Sequence, residues 1–146
     1  MAKFTSSQIR NVCLVGHSGD GKTSLVESML YLAKAIDRLG KPSDGNTASD
    51  FDPEEIKRGY SIQTSLVNVE WNGKKINILD TPGMFDFAGE VKEAVAVSAS
   101  SVIVVDAKSG CKVGTELAWD YSAGKPKAFF VNKVDDENSN FENTYN

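Results

Sequence analysis

The chain alternates between short apolar runs and longer segments in which apolar residues recur every three or four positions. The apolar runs are typical of strands buried on both faces of a parallel sheet. They occupy residues 9–16, 102–105 and 128–131. The periodic segments predict helices, because an amphipathic helix turns one apolar face inward at that spacing. These helices are predicted over residues 22–39, 87–98 and 113–123.

A β-hairpin is predicted in the middle of the chain. Strand character runs over residues 61–71 and returns over 74–80, and Asn72-Gly73 joins the two segments. Asn-Gly is the strongest two-residue hairpin signal, because both positions tolerate a positive φ. We therefore expect these two strands to pair antiparallel.

Strands that alternate with helices form a mostly parallel sheet with helices on both faces and right-handed connections. The predicted fold class is therefore α/β, with one antiparallel strand contributed by the hairpin. In such sheets, ligands bind beyond the carboxyl ends of the strands. The polar motifs of this chain follow predicted strands, so that edge is where we expect the functional site.

The connection over residues 41–60 shows neither helical nor strand periodicity. It contains Pro42 and Gly45, followed by a charged run over 50–58 around Pro53. A structureless connection of this length is usually functional or mobile. A solvated surface linker is the alternative, and it would be preferred if no ligand site lay nearby.

Composition and charge fit one folded domain and exclude several functions. The 146 residues are 40% hydrophobic and 25% charged, with a net charge of −4. There is no overall positive field for nucleic acid, so direct DNA binding is not expected. No apolar run reaches the length of a signal sequence or membrane span, so we expect no membrane association and a cytoplasmic location. Cys13 and Cys111 lack metal-type spacing, and reduced thiols are expected.

Residues 16–23 fit the pattern G-x-x-x-x-G-K-[ST] between the first strand and the first helix. The glycines let backbone N–H groups turn towards anionic oxygens, and the helix adds its positive N-terminal end. Lys22 would bridge the outer phosphates of a nucleotide, and the Thr23 hydroxyl would hold Mg²⁺. A glycine-rich turn without a ligand is the alternative. The nucleotide contacts expected here are Gly16, His17, Ser18, Gly19, Asp20, Gly21, Lys22, Thr23 and Ser24.

A carboxylate and a glycine follow the hairpin, in the segment Asp80-Thr81-Pro82-Gly83, whose four residues are predicted nucleotide contacts. Asp80 can hold the magnesium, usually through a water, and Gly83 offers an unhindered N–H near the terminal phosphate. Ser61 is the candidate second hydroxyl ligand of Mg²⁺, and Thr64 is the alternative. The predicted metal ligands are Thr23, Ser61 and Asp80, and the predicted catalytic residues are Lys22, Asp80 and Gly83.

The segment Asn132-Lys133-Val134-Asp135 follows the last apolar run and is suited to reading a base. The Asp135 carboxylate can accept hydrogen bonds from N1–H and the exocyclic amino group of guanine, whereas adenine offers neither donor in that geometry. Such a site rejects the wrong base, because a buried acceptor would be left unpaired. The stem of Lys133 would pack on the base, so Asn132, Lys133 and Asp135 are predicted guanine contacts. A polar loop without a ligand is the alternative.

Together these motifs resemble the GTP-binding domain of translational GTPases, and they are most similar to elongation factor G and its relatives. The acidic segment 50–55 and the segment Arg58-Gly59-Tyr60-Ser61 contribute to the resemblance. It implies a P-loop G-domain fold, GTP or GDP with Mg²⁺ as cofactors, and ribosome-stimulated GTP hydrolysis. The ribosome would be the partner, contacted through a longer parent protein.

Met84 stands where this family usually carries a histidine that positions the attacking water. A thioether makes no useful hydrogen bond to that water, and His17, the other candidate, belongs to the phosphate loop. We therefore expect slow intrinsic hydrolysis. A second hypothesis is a guanine-nucleotide-dependent switch with little hydrolysis. A third is an ATP-dependent P-loop enzyme, which Asp135 disfavours.

The resemblance also implies further structure beyond Asn146. The family continues with another strand, a second guanine-contacting loop, a closing helix and additional domains. We therefore expect residues 1–146 to form an incomplete, C-terminally truncated GTP-binding domain that binds nucleotide more weakly than its parent.

Overall fold

The computed structural model describes residues 3–146, which form one five-stranded sheet and its covering helices. The strands are β1 (Ile9–Gly16), β2 (Ser65–Trp71), β3 (Lys74–Asp80), β4 (Ser100–Asp106) and β5 (Lys127–Asn132). The helices are α1 (Lys22–Leu32), α2 (Pro53–Arg58), α3 (Ala88–Val97), α4 (Val113–Tyr121) and α5 (Phe141–Tyr145). Short 3₁₀ turns cover Ser6–Gln8, Pro42–Asp44 and Phe85–Phe87. Over this range, no helix is long and apolar enough to cross a lipid bilayer.

The sheet has the order β2-β3-β1-β4-β5, with β2 and β5 at its two edges. β1 pairs parallel with both β3 and β4, and β4 pairs parallel with β5. β2 pairs antiparallel with β3 across Asn72 and Gly73, whose φ angles are +46° and +70°. The prediction of a mostly parallel α/β sheet with one antiparallel strand is confirmed.

Helices cover both faces of the sheet, because successive side chains of a strand point to opposite faces. Cys13 of β1 packs against α3 and α4, whereas Leu14 packs against α1. One cluster contains Cys13, Val15, Val91, Ala94, Val95, Ile103, Val105 and Ala118. The other contains Leu14, Val26, Leu30, Val69, Ile78 and Val104. β1 is therefore fixed from both sides where it enters the glycine-rich loop.

The first helix ends at Leu32, so the predicted end at residue 39 is wrong. Lys34 adopts a φ of +56°, and its N–H donates to the carbonyl of Tyr31 at 3.0 Å. The N–H of Ala35 donates to the carbonyl of Leu30 at 2.8 Å. This pair of bonds is a Schellman motif, in which glycine usually takes the left-handed position. In this protein Lys34 takes that position.

Strand β2 begins at Ser65, so the predicted start at residue 61 is also wrong. The N–H groups of Ile62 and Gln63 donate to the Glu55 carboxylate, and the N–H of Thr64 donates to Glu90. Because these donors bond to side chains, they do not pair with β3. A smaller difference occurs in α4, which ends at Tyr121 rather than residue 123.

The connection over residues 41–60 is more ordered than predicted. Its charged run forms α2, in which the Asp52 side chain accepts from the N–H of Glu54 at 2.8 Å. The buried Glu27 of α1 accepts hydrogen bonds from the N–H groups of Gly40, at 3.0 Å, and Ala48. The prediction of a structureless segment is therefore wrong, because tertiary hydrogen bonds to acidic side chains hold it.

Candidate functional site

A cleft of about 530 Å³ opens at the carboxyl ends of the parallel strands. The loops after β1, β3 and β5 form its walls, and the connection between α1 and β2 encloses one side. Its lining consists of Ser18, Gly19, Gly21, Lys22, Thr23, Ser24, Lys41, Pro42, Ser43, Asp50, Gly59, Tyr60, Ser61, Thr81, Gly83 and Lys133. The cleft lies at the edge where the sequence motifs were expected to meet. The other predicted contacts lie beside or behind this lining: Gly16, His17, Asp20, Asp80, Pro82, Asn132 and Asp135.

The loop after β1 has the tight shape that its glycines permit. Gly16 and Gly21 have φ angles of +141° and +94°, which residues with a side chain rarely adopt. A Cβ at Gly16 would lie 2.5 Å from the carbonyl oxygen of Val104, and one at Gly21 would lie 2.3 Å from Asn132 Nδ2. The loop is therefore packed against β4 and the loop after β5.

Lys22, at the N-terminus of α1, reaches back into this loop. Its Nζ donates to the carbonyls of Gly16 at 3.0 Å and His17 at 2.9 Å, and the residue is 6% exposed. Burial lowers the pKa of Lys22, and the nearby carboxylates of Asp80 and Asp20 oppose that shift. The ammonium group is thus held beside a helix N-terminus, an arrangement that favours an anion.

Three oxygen-bearing side chains meet next to Lys22. Thr23 Oγ1 donates to Asp80 Oδ2 at 2.8 Å and lies 3.3 Å from Ser61 Oγ. Burial raises the pKa of Asp80 to about 6, although the Thr23 hydroxyl and the Lys22 charge favour its ionised form. Asp80 Oδ1 is buried and has no hydrogen-bond partner within residues 3–146. Hard oxygen ligands with an unpaired carboxylate oxygen fit Mg²⁺.

Asp50 belongs to this group, and the sequence analysis did not single it out. It is 7% exposed, and its Oδ1 accepts from Ser61 Oγ at 2.7 Å. Burial raises the pKa of Asp50, while the hydrogen bond from Ser61 lowers it. The charged run over 50–58 gave no spacing that distinguished this carboxylate. Thr64, the alternative to Ser61, instead donates to the carbonyl of Glu90 at 3.2 Å.

The loop after β3 approaches the loop after β1 closely. Thr81 Oγ1 donates to the carbonyl of Leu14 at 2.6 Å, which fixes this segment to β1. A Cβ at Gly83 would lie 2.5 Å from the backbone nitrogen of Ser18 and 2.6 Å from Lys22 Nζ. Met84 comes next, and its apolar side chain is half-buried at the position where the family usually carries a histidine.

The end of β5 and the loop after it contact the glycine-rich loop through two of the three predicted guanine contacts. Asn132 Nδ2 donates to the carbonyl of Asp20 at 2.9 Å. Lys133 has a φ of +58°, and its Nζ lies 2.7 Å from the carbonyl of Gly19 and 3.0 Å from Asp106 Oδ2. Asp135 is exposed and does not line the cleft. The structure therefore brings Asn132 and Lys133 to the site and leaves Asp135 at its margin.

A glycine-rich loop closed around a lysine, at a helix N-terminus and beside a hydroxyl bonded to a strand-end carboxylate, defines a P-loop nucleotide-binding domain. The chain belongs to the elongation factor Tu GTP-binding domain family, whose model matches residues 7–146.

Relatives with assigned names lie among translation factors. The chain is 38% identical over 143 residues to mitochondrial ribosome-releasing factor 2 of Kluyveromyces lactis, covering 97% of this chain and 18% of that protein. It is 34% identical over 144 residues to elongation factor G of Dehalococcoides mccartyi, covering 97% and 21%. A crystal structure of a Thermus thermophilus protein matches with a TM-score of 0.91 at 34% identity, over 96% of this chain and 21% of that one.

These comparisons confirm the predicted G-domain fold and the resemblance to elongation factor G. They identify a GTP-binding domain and favour the GTPase hypothesis over the switch module and the ATP-dependent enzyme. The chain spans about a fifth of the length of the relatives that it matches.

Proposed function

We propose that this chain binds GTP or GDP with Mg²⁺ in the cleft and hydrolyses GTP to GDP and phosphate. Residues 1–146 would serve as the GTP-binding domain of a longer translation factor that acts on the ribosome. The observation that carries the proposal is the grouping of Lys22, Thr23 and Asp80 at the N-terminus of α1 in a member of a GTP-binding family. The cytoplasm is the expected location, although seven relatives are named as mitochondrial.

In this proposal the phosphates lie along the loop over residues 16–24. Lys22 would exchange its two backbone carbonyl contacts for oxygens of the outer phosphates, and backbone N–H groups of the loop would donate to the others. Thr23 and Ser61 would hold Mg²⁺ directly, and Asp80 would hold it through water. When bound, Mg²⁺ neutralises part of the phosphate charge. Asp50 would orient Ser61 through their 2.7 Å hydrogen bond.

The chemical step uses few side chains. The N–H of Gly83 would donate to the terminal phosphate, and Lys22 would stabilise the charge that develops there. Met84 offers the attacking water no polar group, so we expect slow turnover by this chain.

Met84→His should accelerate that turnover. An imidazole here could orient the water, and general-base assistance is typically worth about 100-fold or more. Phosphate release from saturating GTP measures the effect, and Met84→Leu, which adds no polar group, is the control. A Met84→His turnover no faster than that of Met84→Leu would contradict the proposal.

Asp135→Asn tests the assignment of the base. The amide keeps one acceptor for N1–H but presents its NH2 donor to the amino group of guanine, so affinity for GDP should fall by about 100-fold or more. Affinity for xanthosine diphosphate should rise, because the amide can donate to the 2-oxo group of xanthine. Titration calorimetry with both nucleotides measures the change.

Asp136→Asn is the matched control for this experiment. Asp136 is the next residue, and its carboxylate lies 3.5 Å from Lys108 Nζ and accepts from the N–H of Asn138 at 2.9 Å. The control should keep the preference for GDP. Unchanged GDP affinity in Asp135→Asn would show that this residue does not read the base.

A further inference from the structure

The N-terminal turn of α4 contacts the glycine-rich loop, although it contains none of the nucleotide-binding motifs. Lys112 immediately precedes α4, and its Nζ lies 2.7 Å from Asp20 Oδ1. Asp20 is the fifth residue of the loop over 16–23, and its surface is completely buried. This carboxylate therefore belongs to the interior behind the loop and not to the lining of the cleft.

A buried negative charge at this position disfavours phosphate binding, which is the proposed role of the loop. The loop has to accept anionic phosphates, and an uncompensated carboxylate behind it would repel them. Asp20 Oδ2 has no hydrogen-bond partner among the residues that the structure describes. The salt bridge to Lys112 is therefore the direct ion pair of this carboxylate, to which the nearby charge of Lys22 adds, and removing one partner of such a buried pair is costly.

The backbone around Lys112 is itself fixed against the loop. The N–H of Lys112 donates to Thr115 Oγ1 at 3.1 Å, and its carbonyl accepts from the N–H of Thr115 at 2.8 Å. Two residues on, a Cβ added to Gly114 would lie 2.6 Å from His17 Nδ1 and 2.7 Å from His17 Cα. The first turn of α4 thus packs directly on the loop, so the ammonium group of Lys112 is presented from a defined position.

Asp20 is held from two directions at once. Lys112 binds its side chain, and Asn132 at the end of β5 donates to its carbonyl at 2.9 Å. The base-reading loop and α4 therefore both act on the same residue of the phosphate loop. A change in either contact would alter the direction of the N–H groups between Asp20 and Lys22.

We infer that Lys112 is a positioning residue for nucleotide binding: it neutralises Asp20 and holds the phosphate loop in the conformation that accepts phosphates. Lys112 does not line the cleft and acts through Asp20. The inference rests on the proposed function, because its effect is on affinity for a guanine nucleotide.

Affinity for GDP at constant Mg²⁺, measured by calorimetry, tests this role. Lys112→Met should weaken binding about 10- to 100-fold, the range typical of coupling between contacting groups. Lys112→Arg should stay within about 3-fold of wild type, because it restores the cation. Lys108→Met is the matched control, since Lys108 pairs with Asp136 at 3.5 Å and its side chain is 48% exposed. It should bind GDP as wild type does.

The double variant Lys112→Met with Asp20→Asn separates positioning from general stability. Removing both charges leaves no uncompensated carboxylate, so most of the lost affinity should return. A lowered melting temperature without a change in GDP affinity, or a double variant that binds as weakly as Lys112→Met, would overturn the inference. Should Lys112→Met not fold, Lys112→Gln replaces it and is expected to lose about 3- to 10-fold. Wild-type affinity in Lys112→Gln would equally overturn the inference.

The same titrations distinguish the inference from the proposed function. If wild type fails to bind GDP, the proposed function is wrong. If wild type binds GDP and the Lys112 variants bind it equally well, the proposed function stands and the role of Lys112 is wrong.

Discussion

At the scale of single residues, the loop after β3 approaches the glycine-rich loop closely at Gly83. The places where a Cβ would lie are already occupied by Ser18 and Lys22 of the glycine-rich loop. The requirement for glycine here is therefore steric, because its φ lies outside the left-handed region that favours glycine.

Gly83→Ala should weaken the binding of GTP by about 10-fold or more. The added methyl group would displace Lys22 or the backbone of Ser18, and a displacement of about 1 Å is enough to disrupt their contacts with the phosphates. Calorimetric titration measures the loss. Gly89→Ala is the control: Gly89 lies in α3, and nothing stands within 4 Å of its added Cβ. It should bind GTP normally and gain up to about 1 kcal/mol of stability from its better helix propensity. Equal GTP affinities for the two variants would contradict the steric argument.

Residues with a fixed spacing could be found from the sequence, and residues that act through contacts could not. Lys22 and Thr23 follow a pattern that the chain itself displays. Asp50 and Lys112 have no such pattern, because their roles depend on Ser61 and Asp20, which are distant in sequence. Only the folded chain shows that a carboxylate inside the phosphate loop is paired with a lysine 92 positions away.

At the scale of elements, the connection between α1 and β2 depends on Glu27. This buried acid holds the N–H groups of Gly40 and Ala48 from within α1. The connection also supplies Lys41 and Asp50 to the cleft. The same α1 that begins at the phosphate loop therefore holds the segment that encloses the site.

Glu27→Ala should release this segment. Amide hydrogen exchange at Gly40 and Ala48 should accelerate by about 10-fold or more, because both N–H groups lose their buried acceptor. Glu54→Ala is the control, since Glu54 is exposed and pairs with Arg58 one helical turn away at 3.1 Å, a solvent-screened contact that contributes little to stability. Exchange at Gly40 and Ala48 that stays slow in Glu27→Ala would show that other contacts hold the connection.

The sequence predicts that each long strand and helix exists, but it does not predict where several of them begin or end. The apolar runs locate β1, β4 and β5 within two residues, and β1 and β4 are largely buried as predicted. The predicted burial of β5 on both faces is wrong, because β5 is an edge strand and its residues 128–130 are exposed. The end of α1 depends on Lys34 adopting a conformation usual for glycine, and the start of β2 depends on Glu55 and Glu90. Such boundaries are set by contacts between distant segments, which local patterns do not contain.

At the scale of the whole molecule, the site exists because four parallel strands end at one edge. That convergence follows from strand–helix alternation, and it was predicted before the strand order was known. The position of Asp135 was not predictable in the same way. It depends on the turn after β5, in which Lys133 has a positive φ, and it leaves the carboxylate at the margin of the cleft.

Strand β5 completes the sheet on one side only, and its outer backbone groups face away from β4. Phe129 and Phe130, both on this strand, are 54% and 39% exposed. An apolar strand with free donors and acceptors is a template on which another extended segment can add. We expect the isolated chain to self-associate through this edge at high concentration. A charged substitution at Phe129, which does not line the nucleotide cleft, should therefore keep the chain monomeric.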